Sequence, residues 1–207
     1  MSCKQAKQKK AIGMLYEDST TISLLENCHN KHLYFLGTHH LGTKKYYDSI
    51  KLTIDSLHVL GYTLYYEGIF DDTKSKGFLE RRMIIKKYVE IMGNLFNISQ
   101  KYESIAQKMD SIISQPKAEF FINDSLDINA DVSVSQIVEF YEETYGNVNE
   151  DITKQKKYKS IRNNIVKDFR EKNLVKKIIN SKHDKIVILF GSNHKKNLTK
   201  LLNRSCK

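Results

Sequence analysis

The sequence has little of what marks several large classes of protein. Its 3 cysteines, Cys3, Cys28 and Cys206, are too few and too far apart for a disulfide framework or a zinc finger. No apolar run approaches the roughly 18 residues that a membrane-spanning helix needs. The lysines near the N-terminus are not followed by a hydrophobic stretch, so no secretory signal is expected. These absences predict a cytoplasmic protein with reduced cysteines.

Arginine is scarce beside lysine. Of the 34 basic residues, which give a net charge of +10, five are arginine: Arg81, Arg82, Arg162, Arg170 and Arg204. Arginine is the side chain that reads bases and binds phosphate in bidentate fashion. A lysine excess spread along the chain favours a solvated cationic surface over a specific nucleic-acid partner, although weak, salt-sensitive attraction to anions stays open.

Proline and linker-like segments are also rare. Pro116 is the only proline, and no Pro/Gly-rich stretch separates one part of the chain from another. A length of 207 residues suits one domain with a substantial core. We therefore expect a basic, disordered tail over residues 1–10 and a single domain over residues 11–207.

Two segments near opposite ends of the chain follow the same pattern. The apolar run Leu33–Leu36 stops at Gly37, two histidines follow, and an amphipathic helical pattern begins at about Lys44. Far along the chain, the apolar run Ile186–Phe190 ends in a second Gly-x-x-His segment, 191–194, before another helical pattern. Each segment predicts a strand, a tight turn and a helix, with a histidine at the exit of the strand.

The intervening pattern adds an acidic residue to the same place. A helix is predicted over Lys44–Leu60 and a second strand over Tyr62–Tyr66, which ends at Glu67. Strand, helix and strand in succession form a βαβ unit with parallel strands, whose carboxyl ends open on one edge of a sheet. Glu67 is therefore expected to lie near His39 and His40.

The rest of the chain completes an α/β fold. We expect a central mixed, mostly parallel sheet flanked by helices, with two similar strand–Gly-x-x-His–helix halves and a helical middle. The remaining predicted elements are a marginal hairpin (12–16 and 21–25), a bent helical pair (77–115, broken near 93–99), a strand (119–123) and helices over 136–145 and 155–180.

The residues gathered at the strand ends suggest a chemistry. Two histidines and a glutamate are the ingredients of a divalent metal site with an open coordination position, which can acidify a bound water or polarise a carbonyl. No local His-Glu-x-x-His motif is present, so such ligands would come from distant strands. A structural role for histidines at strand ends is the open alternative.

A set of short motifs resembles a known group of proteins. The motifs are, in order, Gly37-Thr38-His39-His40, Glu67-Gly68, Ala130-Asp131-Val132-Ser133, Arg162-Asn163 and Gly191-Ser192-Asn193-His194. Their order and context resemble the TraB/PrgY/GumN family, which is similar to the Tiki-type proteases and, more distantly, to erythromycin-esterase and ChaN-like proteins. The resemblance covers the chain from about Ile12 to Leu202.

The resemblance implies a site and a function. Tiki-type members are regarded as metal-dependent proteases, which implies that His40, Glu67 and His194 hold a divalent metal ion (Mn, Co or Zn). It further implies that Arg162 stabilises an oxyanion or binds a carboxylate. His39 would then be an alternative metal ligand or a residue that hydrogen-bonds to the ligands. The expected function is a metal-dependent hydrolase of a peptide or a small amide.

The resemblance also leaves alternatives open. ChaN-like relatives suggest a non-enzymatic protein that binds haem or a peptide in the same pocket. Asp131 matches the Ala-Asp motif, but its role is open. Lys195 and Lys196 follow the second motif in place of small residues, which could favour an anionic substrate or mark loss of activity. A peptide or small molecule is the expected partner, and the oligomeric state is open.

Overall fold

The computed structural model describes residues 13, 15–25, 30–93, 96–123, 126–148 and 158–205. Its strands are β1 (Ile22–Leu24), β2 (His32–Thr38), β3 (Leu41–Thr43), β4 (Thr63–Tyr66), β5 (Ile112–Ser114), β6 (Ile128–Asn129) and β7 (Lys185–Gly191). They form a five-stranded sheet in the order β1-β2-β7-β4-β6 and a small sheet of β3 and β5.

The helices lie between and after these strands. They are α1 (Lys44–Val59), α2 (Phe78–Met92), α3 (Phe96–Ala106), α4 (Val134–Tyr145), α5 (Tyr158–Asn163), α6 (Arg170–Ile179) and α7 (Lys195–Ser205). A π-helical segment, Asn164–Phe169, joins α5 to α6, so residues 158–179 form one long helix. None of the helices among the described residues is both long enough and apolar enough to cross a bilayer.

The large sheet is mixed and mostly parallel, which confirms the predicted α/β class. β7 pairs in parallel with β2 on one side and with β4 on the other, and β6 continues the parallel arrangement beyond β4. β1 runs antiparallel to β2 at the margin. The carboxyl ends of β2, β7 and β4 therefore open on the same edge, as the βαβ argument predicts.

Alternation along the strands divides the core between two faces of the sheet. Leu36, Leu64, Val187 and Leu189 are buried with the apolar stripe of α1 on one face. Their neighbours along β2 and β7 point the other way and pack with α6 and α7: Leu33, Phe35, Ile186, Ile188 and Phe190. Each fully buried aliphatic side chain contributes about 1.5–3 kcal/mol, so the period of two fixes which face each strand residue stabilises.

The local signals that start and stop α1 are present. Thr43 is its N-cap, and the Thr43 hydroxyl oxygen accepts a 3.0 Å hydrogen bond from the backbone N–H of Tyr46. Gly61, just beyond the helix, adopts a φ of +81°, which glycine reaches without steric cost. The predicted helix over residues 44–60 is confirmed.

A third apolar cluster joins α2, α4 and the long helix beside the sheet. Tyr88, Ile91, Ile137 and Ile161 are among its buried members. The break between α2 and α3 falls at Gly93, whose φ is +73°, so the predicted bent helical pair is confirmed as far as Ala106. Its predicted end at 115 is wrong, because Ile112–Ser114 form β5 and pair with β3. The predicted helix over residues 136–145 is also confirmed, and Ser133 and Gln136 form a capping box at its start.

One predicted strand is wrong. Residues 119–123 have the aromatic and β-branched composition of a strand, but Ala118–Phe120 form a 3₁₀ turn instead. The place beside β4 is taken by Ile128, which pairs with Tyr65. The backbone N–H of Asn123 donates to Asp127 at 2.5 Å, so this segment satisfies its polar groups locally rather than in the sheet.

Parts of three other predictions lie outside the described residues. They are the basic tail (1–10), residues 12 and 14 of the first hairpin strand, and the first turn of the last helix (155–157). The predicted hairpin is wrong. Its second strand is β1, which pairs with β2, and Gly13 and Leu15 of its predicted first strand are helical.

Candidate functional site

The candidate site lies where β4 and β7 end. Glu67 follows β4 directly, and its backbone N–H donates to the carbonyl oxygen of Leu189 at 3.0 Å, which continues the parallel pairing by one residue. The carboxylate then turns toward β7, and its Oε2 accepts a hydrogen bond of 2.6 Å from the backbone N–H of Gly191. Glu67 is thus held at the carboxyl edge of the sheet by backbone contacts.

Arg170 connects this carboxylate to a second one. Its Nη2 donates to Glu67 Oε1 at 2.8 Å, and its Nε donates to Asp131 Oδ1 at 2.8 Å. Nη2 also donates to the other oxygen of Asp131, so the second pair is bidentate. Asp131 has no exposed surface and also accepts the backbone N–H groups of Gly68 and Val132, at 3.1 and 2.8 Å.

His194 lies between Glu67 and a third carboxylate, that of Glu171. Its Nδ1 lies 2.8 Å from Glu171 Oε1, and its Nε2 lies 3.6 Å from Glu67 Oε1. The Asn197 amide donates to the second oxygen of Glu171. Glu171 is fully buried and His194 is 7% exposed, so α6 and α7 are joined through a buried imidazole.

The contacts set the charges of the network. Burial alone would raise the pKa of Glu67, but the hydrogen bond from His194 and the positive charge of Arg170 hold it well below its usual range. Burial alone would lower the pKa of His194, but hydrogen bonds to Glu171 and Glu67 raise it to about 9. His194 is therefore an imidazolium at neutral pH, and both of its ring nitrogens carry protons.

A second pair of side chains lies on the other side of β7. Ser192, directly after β7, places its Oγ 3.1 Å from Nδ1 of His39, which follows β2. Tyr47 donates from its hydroxyl to the carbonyl oxygen of His39 at 2.8 Å. The ring of Tyr46 stacks on the imidazole with 5.7 Å between centroids, so α1 orients His39 toward Ser192.

The environment keeps His39 neutral. Burial lowers its pKa below the ordinary value of 6.5; Glu17 opposes this shift and His40 adds to it. A neutral imidazole can accept a proton at physiological pH. His39 and Ser192 are each part-exposed, so they are accessible to a ligand in a way that Asp131 and Glu171 are not.

The predicted site residues therefore divide into two groups. Glu67 and His194 are brought together, and His39 lies at the same edge through Ser192. The His40 ring instead stacks on Tyr102 with 4.7 Å between centroids. The Arg162 guanidinium lies 5.9 Å from the centroid of the Tyr158 ring. Among the described residues, no hydrogen bond or ion pair joins His40 or Arg162 to Glu67 or His194.

The donor set does not fit a divalent metal ion. Nδ1 of His194 is taken by Glu171, and the oxygens of Glu67 already bind Arg170 and the Gly191 amide. The third predicted ligand, His40, lies against Tyr102 instead. The carboxylates of Glu67, Asp131 and Glu171 are matched by nearby cations. Within the described part of the chain, no group of three histidine, cysteine or acidic side chains is arranged to hold a metal.

Sequence reasoning missed three members of the network, Arg170, Glu171 and Asn197. A regular helical period contains no signal for the first two. The buried positions of the long helix are Ile161, Ile165, Arg170, Glu171, Leu174, Val175 and Ile178. The step from Ile165 to Arg170 is five residues, where a regular α-helix needs three or four. The π-helical segment supplies the extra residue, and it carries an Arg-Glu pair into the interior.

The resemblance to the TraB/PrgY/GumN family is a prediction that depends on short motifs. Comparisons with protein-family models, curated proteins and solved structures found no match to this chain.

Proposed function

We propose that the chain is a hydrolase of an ester or amide bond in a peptide or small molecule, in which Ser192 is the nucleophile and His39 is its base. The observation that carries this proposal is the distance of 3.1 Å between Ser192 Oγ and His39 Nδ1. A serine activated by an adjacent imidazole is a recurrent solution to acyl transfer on unrelated folds. The reaction needs no metal.

The reaction is balanced between these two side chains and water. Ser192 Oγ attacks the substrate carbonyl carbon while its proton passes to His39 Nδ1. The tetrahedral intermediate collapses, and the leaving amine or alcohol takes that proton. A water molecule then gives a proton to His39, attacks the acyl ester and releases Ser192 with its proton restored.

The position of Ser192 suits the developing charge. Ser192 follows the central strand and begins a 3₁₀ turn that leads directly into α7. The N–H groups and dipole at a helix N-terminus favour negative charge, as an oxyanion requires. The network around Glu67 and His194 supports this turn from beneath because Glu67 holds the Gly191 amide.

Covalent labelling tests the proposal. A fluorophosphonate probe should add one phosphonyl group to Ser192 in the wild type, and Ser192→Ala and His39→Ala should lower turnover of a 4-nitrophenyl ester at least about 10³-fold. His40→Ala is the matched control. The His40 ring stacks on Tyr102 rather than contacting Ser192, so this variant should retain activity. Unchanged turnover in Ser192→Ala, or labelling at another residue, would refute the assignment.

A further inference from the structure

A cavity of about 570 Å³ lies beside the long helix and the start of α7. Its lining is mixed: apolar surface, including Ile161, lies beside the polar side chains of Tyr145, Asn163, Asn164, Lys167, Asp168 and Asn197. The volume lies within the roughly 300–1,000 Å³ of small-ligand sites. The polar side chains suit a ligand that has hydrogen-bonding groups and charges of both signs.

The π-helical segment gives the cavity its lining. Asn164, Lys167 and Asp168 all belong to this segment, and Asn163 immediately precedes it. The extra residue of a π turn shifts which side chains face inward, so these polar residues face the cavity while Arg170 continues the buried side. π turns inside α-helices frequently occur at functional sites.

The cavity is connected to the buried network by a short series of contacts. Asn197 lines the cavity and donates to Glu171, and Glu171 contacts His194, which lies 3.6 Å from Glu67. Asn197 is also five residues beyond Ser192 along the chain. At about 1.5 Å per helical residue, Ser192 and Asn197 are about 8 Å apart along the helix axis. An extended peptide rises about 3.4 Å per residue, so two to three peptide residues would span this distance.

The chemistry of the lining matches a peptide backbone. A carboxamide offers both a carbonyl acceptor and N–H donors, which is the complement of a peptide group. Three carboxamides line the cavity, on Asn163, Asn164 and Asn197. The amide nitrogens of Asn164 and Asn197 already donate to Tyr145 and Glu171, so each of these two has its carbonyl oxygen and one remaining N–H for a ligand. Lys167 and Asp168 add one charge of each sign, which complements the carboxylate and ammonium of a short zwitterionic peptide.

We infer that this cavity is a binding site for the backbone and terminal charges of a short peptide, of which the bond beside Ser192 is the one cleaved. Cleavage of the bound peptide rests on the proposed hydrolase function, whereas binding of the peptide does not. Binding at the cavity places a peptide on Asn197 and directs its chain toward the turn at Ser192.

The probe is the zwitterionic tripeptide Ala-Ala-Ala, titrated by calorimetry into Ser192→Ala protein so that no turnover consumes it. The double variant Asn163→Ala/Lys167→Ala should weaken binding at least about tenfold through two lost hydrogen bonds. Both residues are exposed, so the fold is not disturbed. The matched control is Asn180→Ala/Lys172→Ala, which removes the same residue types from a separate cavity of about 240 Å³ on the same helix, and its affinity should be unchanged.

The outcomes separate this inference from the proposed function. Tripeptide binding that depends on Asn163 and Lys167, with no fluorophosphonate labelling of Ser192 and no ester hydrolysis by the wild type, would keep the binding site and refute the hydrolase. Hydrolysis with equal peptide affinity in both double variants would keep the hydrolase and refute the site. Tighter binding of the uncharged trisaccharide maltotriose than of the tripeptide would also overturn the assignment to peptide.

Discussion

Glu67 and Gly191 are joined by a hydrogen bond of 2.6 Å from the backbone N–H of Gly191 to Glu67 Oε2. The contact ties the end of β4 to the end of β7, and the other carboxylate oxygen accepts from Arg170. Glu67 is therefore occupied on both oxygens. In this structure it stabilises the turn that carries Ser192, which is a different task from holding a metal.

Arg170→Met should destabilise the protein by about 3–5 kcal/mol, because it leaves the buried carboxylate of Asp131 without its bidentate cation. Arg162→Met is the matched control. Its guanidinium lies over Tyr158 and its side chain is part-exposed, so its cost should stay below about 1 kcal/mol. Urea unfolding of both variants measures the difference, and equal losses would contradict the assigned role of Arg170.

His194 should make stability depend on pH. Its pKa is raised to about 9 in the folded protein by Glu171 and Glu67, against an ordinary 6.5. A group whose pKa is higher in the folded state stabilises the protein fully at pH values below its unfolded-state pKa. That contribution is lost as the pH rises through its folded-state pKa. The advantage of the wild type over His194→Gln in free energy of unfolding should therefore shrink from pH 6.5 to above pH 9. A constant difference across that range would show that His194 does not carry the charge.

Gly37→Ala should perturb the Ser192 turn. An added Cβ would lie 3.0 Å from the Ser192 Cβ and 3.1 Å from its Cα, so the turn must shift, at a cost of about 1–3 kcal/mol. Gly77→Ala is the control, since nothing lies within 4 Å of the Cβ it would add. The free energy of unfolding, measured by chemical denaturation, and the rate of ester hydrolysis should both fall in Gly37→Ala and stay unchanged in Gly77→Ala. Full activity in Gly37→Ala would argue against the exact placement of Ser192.

Activity should not depend on a divalent metal. Because Glu67 is bound to Arg170 and the Gly191 amide and His194 is bound to Glu171, mass spectrometry of the purified protein should find far less than one transition-metal ion per chain. Prolonged dialysis against a chelator should leave ester hydrolysis unchanged. Stoichiometric metal that is lost in His194→Ala would restore the metal-site hypothesis.

The rate of ester hydrolysis should fall only in acid. His39 must be neutral to accept the Ser192 proton, and burial lowers its pKa below 6.5, so kcat/KM should rise with pH and level off near or below that value. A pH profile of kcat/KM recorded on the wild type measures this fall in acid directly. A midpoint clearly above 6.5 would mean that another group is the base.

The sequence predicts the frame of the site because strand period and βαβ handedness are local rules with few exceptions. They place Glu67 at the same edge of the sheet as His39 and His40. They do not predict that β7 lies between β2 and β4, which is what brings Glu67 beside Gly191. They do not separate His39 from His40. β2 ends at Thr38 and β3 begins at Leu41, and in the bend between them adjacent side chains point in different directions, one to Ser192 and one to Tyr102.

Arg170 was out of reach for a related reason. A regular 3.6-residue period assigns Phe169 to the buried stripe that includes Ile165 and leaves Arg170 beside it. The π-helical segment changes that assignment: Phe169 stacks on Phe140 at 4.2 Å between centroids, and Arg170 turns inward. The deciding factor is the energy of pairing with Asp131, a contact across 39 positions of the chain that no local pattern contains.

The central place of β7 has a consequence for synthesis on the ribosome. β2 pairs with β7 along its length, from His32 with Lys185 to Thr38 with Gly191, and β4 has β7 as its other neighbour. At about 5–20 residues per second, the nascent chain waits many seconds with the inner edges of β2 and β4 unpaired. Until β7 emerges, these two edges are open to pairing with other chains, and the turn that carries Ser192 cannot take its place before the sheet has closed around β7.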